Sequence, residues 1–143
     1  MFMEQLIVHN EENKPLYEIH LKESYKDLVT VIRNLGVTGR KLCVVSDSNV
    51  MPLYGESICS MLQKEGFHCV SFMFPAGEAS KNLMTVENLY EFLIEQSFDR
   101  NDMLLAVGGG VTGDLTGYAA ATYLRGIRFV GIPTSLLSMV DSS

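Results

Sequence analysis

The sequence predicts an α/β fold of Rossmann-like type, a mostly parallel sheet with helices on both faces, entered through an amino-terminal β-hairpin. Three observations lead there. Strand-like and helix-like segments alternate from Leu42 to Val140, the pattern of parallel strands joined by crossover helices. The apolar run Leu104 to Val107 collapses into Gly108, Gly109 and Gly110 and then opens a helical pattern, as a strand-to-helix turn beside a phosphate does. Ahead of both, two short β-like runs flank a polar stretch.

Taken in order, Leu6 to His9 and Tyr17 to Leu21 surround Asn10 to Pro15 and read as a hairpin. Ser24 can cap a helix through Asn34, with Leu28, Val31, Ile32 and Leu35 at helical spacing and Gly36 to stop it. Lys41 to Ser46 is a short buried strand. Met51 to Gly66 reads as a helix with Pro52 in its first turn and Leu53, Ile58, Met61 and Leu62 apolar. Cys69 to Phe74 is the next strand, and a helix from Ser80 to Ser97 carries the stripe Leu83, Val86, Tyr90, Leu93 and Ile94. After the glycines, Val111 to Leu124 is helical and Arg128 to Ile132 a strand. Pro133, Thr134 and Ser135 then lead into a short helix, Leu136 to Val140, before Asp141.

Composition narrows the function. With 143 residues the chain is one domain's worth, residues 1–143 forming a single core. A net charge of −6 and a pI near 5.0 argue against nucleic acid or an anionic membrane as partner. The start lacks a basic n-region and a long apolar stretch, and no window resembles a membrane span, so a cytoplasmic protein is expected. Cys43, Cys59 and Cys69 lack C-x-x-C spacing and read as reduced core thiols. His9, His20 and His68 are scattered, so no metal site is assigned to this chain's own residues.

The chemistry gathers at strand exits. Gly108, Gly110 and Gly113 satisfy G-x-G-x-x-G with a strand before and a helix after. Gly113 and Gly117 lie inside a predicted helix, where glycine costs about 1 kcal/mol against Ala and asks for a packing or ligand reason. Asp114 falls in the first turn of that helix, where its charge suits the dipole. A dinucleotide fingerprint further expects a carboxylate at the end of the second strand to hold a ribose hydroxyl. Here that strand ends Ile132-Pro133-Thr134-Ser135, so a ribose contact must come from elsewhere. Asp47 and Asn49 follow the Lys41 to Ser46 strand and serve equally as turn formers or as binding groups. The loop Pro75 to Lys81 carries Glu78 and Lys81, which read as solvated charges, beside Ser80, which reads as a helix cap. Arg125 and Arg128 are the nearest cations for an anionic substrate.

The block from Gly108 through Thr112-Gly113-Asp114, Tyr123-Leu124-Arg125-Gly126 and Phe129, with Ile132-Pro133-Thr134-Ser135 and Val140-Asp141-Ser142-Ser143, closely resembles the 3-dehydroquinate synthases. Asp47-x-Asn49 and Pro75-x-Gly77-Glu78-x-x-Lys81 fit the same family in the same order. The resemblance implies an NAD-dependent and metal-dependent (zinc or cobalt) homodimeric enzyme of the shikimate pathway. It converts 3-deoxy-arabino-heptulosonate 7-phosphate to 3-dehydroquinate and phosphate. It also assigns roles and turns the two ambiguous loops toward binding. Asp47 and Asn49 would contact the adenosine part of NAD; Gly77, Glu78 and Lys81 would contact its ribose. Gly109, Gly110, Val111 and Gly113 would approach the pyrophosphate, Asp114 the nicotinamide end, and Thr134 and Ser135 would add hydroxyl contacts. Ser135 stands where the family more often has Thr. Asp141 would hold a substrate hydroxyl, and Arg125 would meet substrate phosphate across a dimer interface. The family's metal ligands belong to a helical second domain that this sequence does not contain, so the chain reads as the NAD-binding domain and is expected to be inactive alone. The alternatives are a related sugar-phosphate cyclase, a metal-dependent polyol dehydrogenase, and a stand-alone nucleotide-binding module.

Overall fold

The computed structural model describes residues 4–9, 15–21, 25–36 and 40–134, with side chains from residue 28 onward. Strands β1 (Glu4–His9), β2 (Pro15–Leu21), β3 (Lys41–Asp47), β4 (His68–Phe74), β5 (Met103–Gly108) and β6 (Arg128–Pro133) form one sheet in the order β2-β1-β6-β5-β3-β4. The four strands β6, β5, β3 and β4 run parallel; the hairpin β1-β2 joins them antiparallel, with β1 against β6. The expected α/β architecture and its amino-terminal hairpin are both present. Ser24 and the stretch from Ser135 through Asp141 lie outside the described residues.

Helices α1 (Tyr25–Asn34) and α2 (Glu56–Lys64) cover one face, and α3 (Leu83–Glu95) and α4 (Gly110–Thr122) cover the other. Because side chains alternate along a strand, each central strand feeds both cores. Leu42, Val44, Leu105 and Val107 meet Leu28, Ile32, Ile58 and Leu62. Cys43, Val45, Leu104 and Ala106 meet Leu89, Leu93, Leu115 and Ala119. All six residues of β5 are buried, as expected of a strand covered on both sides.

Three expectations for the helices are corrected. The segment after β3 begins as a π-helical turn, Met51–Gly55, before α2 proper, and this turns Leu53 out to solvent. Asn82, not Ser80, caps α3: its side chain accepts from the Thr85 amide at 2.9 Å, so the helix starts later and ends at Glu95. The buried stripe of α3 centres on Val86, Leu89 and Leu93, so Leu83 and Ile94, at one edge of the expected stripe, are exposed. Gly36 and Gly66 sit in positive φ just past α1 and α2, the helix stops the sequence announced.

One buried carboxylate ties the lower edge of the sheet together. Asp102 is nearly inaccessible and accepts from the Lys41 amide (2.8 Å) and the Asp99 amide (2.7 Å). Asp102→Ala leaves two N–H donors without partners at the entrances of β3 and β5. It should destabilise the protein by about 3 kcal/mol, visible in urea unfolding; a change below about 1 kcal/mol means that water takes over both donors.

Candidate functional site

In an open parallel sheet, ligands bind beyond the carboxyl ends of the strands where the order reverses. Here the connection after β3 passes over one face and the connection after β5 over the other, so the crevice lies between β3 and β5. At its base the buried Ser46 hydroxyl donates to the Val107 carbonyl at 2.7 Å, joining the two strand ends.

Three loops meet at this edge, and hydrogen bonds hold them to one another. Asp47 folds its own loop, its Oδ1 accepting from the Asn49 and Val50 amides, each at 2.8 Å. The Ala76 amide donates to Ser48 Oγ at 2.9 Å, linking the first loop to the second. Lys81 Nζ lies 2.9 Å from Asp114 Oδ2, linking the second loop to the glycine helix. That carboxylate, by hydrogen bond and charge, raises the Lys81 pKa, with nearby Glu78 adding in the same direction. Lys81 and Asp114 are therefore ion-paired rather than free solvated charges. Asp114 stands just past the first turn of α4, contrary to the expectation that it sits in that turn. Glu78 and Asn49 are exposed at the same edge.

The second loop needs its glycine. Gly77 has φ 115 and ψ 162, a conformation that only glycine adopts readily, and it precedes the 3-10 turn Glu78–Ser80. The Ser80 hydroxyl, buried in this turn, donates to the Pro75 carbonyl and closes the loop on itself.

The glycine turn is an open cradle. Gly108 leaves β5 at φ 152, and a Cβ there would strike Thr112 Oγ1 at 2.8 Å. At Gly109, Gly110 and Gly113, by contrast, a Cβ would meet no other atom within 4 Å. These three lack side chains because space beside the backbone is kept clear, not because the protein fills it. Gly109 caps α4 without any side-chain acceptor, so the first-turn N–H groups, Val111 included, remain for an anion. A groove of about 670 Å³ runs from this turn along α4, lined by Ala106, Gly110, Gly113, Tyr118, Gly131 and Pro133 among others. Its size suits an extended small molecule. The residues present fit NAD: an uncapped helix start for the pyrophosphate, and small residues where a ligand must pass close to the sheet.

Sequence reasoning missed the floor and wall of this groove. Gly131 interrupts β6, and an isolated glycine within a strand is a readable signal of close approach. Tyr118 carries no such signal. Thr134 begins at the exit of β6 on the same edge and is half-exposed; Ser135 and Asp141 lie outside the described residues.

The two arginines are elsewhere. Arg128 donates from Nη1 to the Leu35 carbonyl at 2.7 Å and closes the end of α1, so it is not a free substrate cation. Arg125 lies at the other end of α4 from the glycine turn. The 13 residues of α4 span about 20 Å, so one chain does not bring Arg125 to its own crevice. Its turn is nevertheless firmly made. Leu124 (φ 47) and Arg125 (φ 69) both hold left-handed backbone, uncommon for non-glycine residues, and Gly126 follows at φ 124. Tyr123, buried, donates to the Phe98 carbonyl at 2.9 Å and anchors the turn. Arg125 itself is exposed and makes no hydrogen bond or ion pair among the described residues.

Comparison with known proteins places this geometry. The family described as 3-dehydroquinate synthase N-terminal matches residues 71–143, half of the chain. The chain belongs to that family. The 3-dehydroquinate synthase of Streptococcus suis strain 05ZYH33 is 51% identical over 104 residues, covering 73% of this chain and 29% of the relative. That of Picosynechococcus is 45% identical over 128 residues, covering 89% and 35%. The chain thus spans about a third of the length of the curated relatives it matches. Among solved structures, 2-deoxy-scyllo-inosose synthase in complex with carbaglucose-6-phosphate, NAD+ and Co2+ superposes with a TM-score of 0.73 at 27% identity, over 93% of this chain and 35% of that one. The family match includes the second loop, the glycine cradle and the Arg125 turn.

Two further facts bear on chemistry. Among the described residues no group of three or more His, Cys, Asp or Glu side chains could hold a metal, and no helix is long and apolar enough to cross a membrane. On the buried side of α4, the Thr112 and Thr116 hydroxyls have no partner among the described residues, at 1% and 0% exposure. Thr116→Val keeps the shape and removes an unpaired polar atom, so it should stabilise the protein by about 1 kcal/mol. Urea unfolding measures this directly; an equal loss of stability would show that the hydroxyl is hydrogen-bonded in the working protein.

Proposed function

We propose that this chain forms the NAD-binding part of a 3-dehydroquinate synthase, which converts 3-deoxy-arabino-heptulosonate 7-phosphate to 3-dehydroquinate and phosphate. The observation that carries the reading is the convergence of three mutually bonded loops on an open glycine cradle, within a chain of this family. NAD, when bound, supplies a hydride acceptor that is restored within each turnover. The chain's own residues bind and orient it. Gly109, Gly110, Val111 and Gly113 receive the pyrophosphate, with the uncapped start of α4 as counter-charge. Asp47 and Asn49 face the adenosine side, while Gly77, Glu78 and Lys81 face a ribose. Asp114, paired with Lys81, lies toward the nicotinamide, and Thr134 with Ser135 adds hydroxyls. Asp141 holds a substrate hydroxyl.

A divalent metal, zinc or cobalt, belongs in this reading to residues that follow the chain in its longer relatives. Arg125 belongs to the neighbouring subunit's site in a homodimer, because it stands too far from its own. In this reading the enzyme works in the cytoplasm, and its partner is a small sugar phosphate rather than nucleic acid or membrane.

The decisive assay uses the full-length gene product with NAD, a divalent metal and the heptulosonate phosphate, following phosphate and NADH together. Phosphate release without net NADH supports the proposal, because the hydride is returned. NADH accumulating on simple polyols without phosphate release would identify a dehydrogenase. Turnover of a different sugar phosphate in preference would identify a related cyclase.

A further inference from the structure

The outward face of α4 is not built for water. Glu56, Gln63 and Lys64 are exposed on α2, and Glu87, Glu91 and Glu95 on α3, as on helices that end at solvent. On α4 the outward positions are Gly110, Asp114, Tyr118, the half-buried Ala121 and Thr122, and Asp114 is the only charged residue among its 13. Tyr118 is 49% exposed, and Leu83, 66% exposed, shares with it and Asp114 a hollow of about 340 Å³ beside the helix. Leu124, 50% exposed, carries the apolar surface past the end of the helix. We propose that a second copy of this chain covers this face, the two α4 helices packing antiparallel about a twofold axis at the level of Ala119 and Ala120, so that each Arg125 reaches the partner's crevice.

The face is complementary to its own reverse. Asp114, Tyr118 and Ala121 follow one another at steps of four and three residues, so they fall on one stripe of the helix. In an antiparallel pair with the axis midway between 118 and 121, Tyr118 lies against the partner's Ala121, a large side chain over a small one, and the symmetry makes the contact twice. The same axis sets the end of one helix over the start of the other. Arg125, which follows the carboxyl end of α4, then comes to the partner's Asp114, the fifth residue of that helix. Charge favours this meeting, because the exposed Glu78 and Asp114 outnumber Lys81 at that edge. A parallel pair would instead set Arg125 against the partner's Arg125. The inference rests on the reading of Arg125 as the neighbouring subunit's residue, and supplies its route: α4 holds Arg125 about 20 Å from its own cradle, and an antiparallel partner helix of equal length spans that distance.

The test joins the two facing positions. Full-length Tyr118→Cys and full-length Ala121→Cys are mixed under native conditions, allowed to exchange subunits, oxidised with copper phenanthroline and peptide-mapped. Cys43, Cys59 and Cys69 are buried and stay out of the reaction. The expected product is a dimer linked from position 118 to position 121, in a yield about tenfold above that of either variant alone, where the two introduced thiols stand off the axis. Ala121→Glu sets a carboxylate against the partner's Tyr118 and should raise the dimer dissociation constant about 100-fold in sedimentation velocity. Linkage of 118 to 118, or thiols that stay unlinked because another surface or the rest of the same chain covers them, would overturn this interface. Complementation between Arg125→Ala and Gly110→Val subunits then shows separately whether the reading of Arg125 survives; a full-length enzyme that turns over as a monomer overturns both. The linkage decides even if Ala121→Glu fails to fold.

Discussion

Gly110→Val in the full-length protein should leave folding unchanged and weaken NAD binding about 1000-fold. Gly110 is the first residue of α4, its backbone is ordinary helix, and a Cβ there meets no atom within 4 Å. Nothing in the protein opposes the larger side chain, so thermal unfolding should match wild type. The added isopropyl group instead fills the cradle and separates the pyrophosphate from the N–H groups at the helix start. Two or three charge-assisted hydrogen bonds, each about 1.5–3 kcal/mol, account for the size of the loss. Titration calorimetry with NAD reads the result. Unchanged affinity with unchanged stability would remove the pyrophosphate from this turn and with it the assigned roles of Gly109, Val111 and Gly113. The comparison with Gly108→Ala is instructive, because there the order reverses. A Cβ at Gly108 collides with Thr112 inside the protein, at a backbone angle that side chains rarely adopt, so stability suffers first.

That contrast shows what a sequence can and cannot disclose. Gly108, Gly110 and Gly113 look alike in the G-x-G-x-x-G pattern, yet one is glycine for the fold and two for open space. Pattern reading located the turn because an apolar run, glycines and a helical stripe are local signals. The two outer loops were legible only as ambiguous. Asp47 Oδ1 is occupied by its own loop, and nothing local predicts that Ser48 will reach Ala76 or Lys81 will reach Asp114. Those bonds depend on β3, β4 and β5 ending on one edge, which is a property of strand order. The helix errors have the same origin. Leu83 and Ile94 are apolar at helical spacing, but the face of α3 that meets the sheet centres on Val86, Leu89 and Leu93 and leaves both at its exposed edge. Arg125 and Arg128 illustrate the opposite limit. Three residues apart and alike in charge, one closes α1 through Leu35, and the other projects from a strained turn without a partner among the described residues.

The exposed position of Arg125 leads to the second large effect. Arg125→Ala should lower kcat/KM about 1000-fold in the full-length enzyme, the loss expected when a charge-assisted grip on phosphate is removed, while NAD affinity stays unchanged. The turn from Tyr123 to Gly126 keeps its Tyr123–Phe98 bond, so the fold should survive. Whether the arginine serves its own crevice or a neighbour's is then decided by mixing. Arg125→Ala subunits and Gly110→Val subunits are each inactive, but a hybrid dimer combines them differently in the two cases. If the arginine acts across the interface, one site of each hybrid has an intact glycine cradle and an intact arginine, while the other has neither. Random exchange of subunits should therefore restore about a quarter of wild-type activity. If the arginine acts within its own chain, every site in the mixture carries one defect and no activity returns. The length of α4, which keeps Arg125 about 20 Å from the glycine turn of its own chain, favours the first result. Failure of the mixture to recover, with subunit exchange verified, would require Arg125 to reach its own site through a rearrangement of the Tyr123–Gly126 turn.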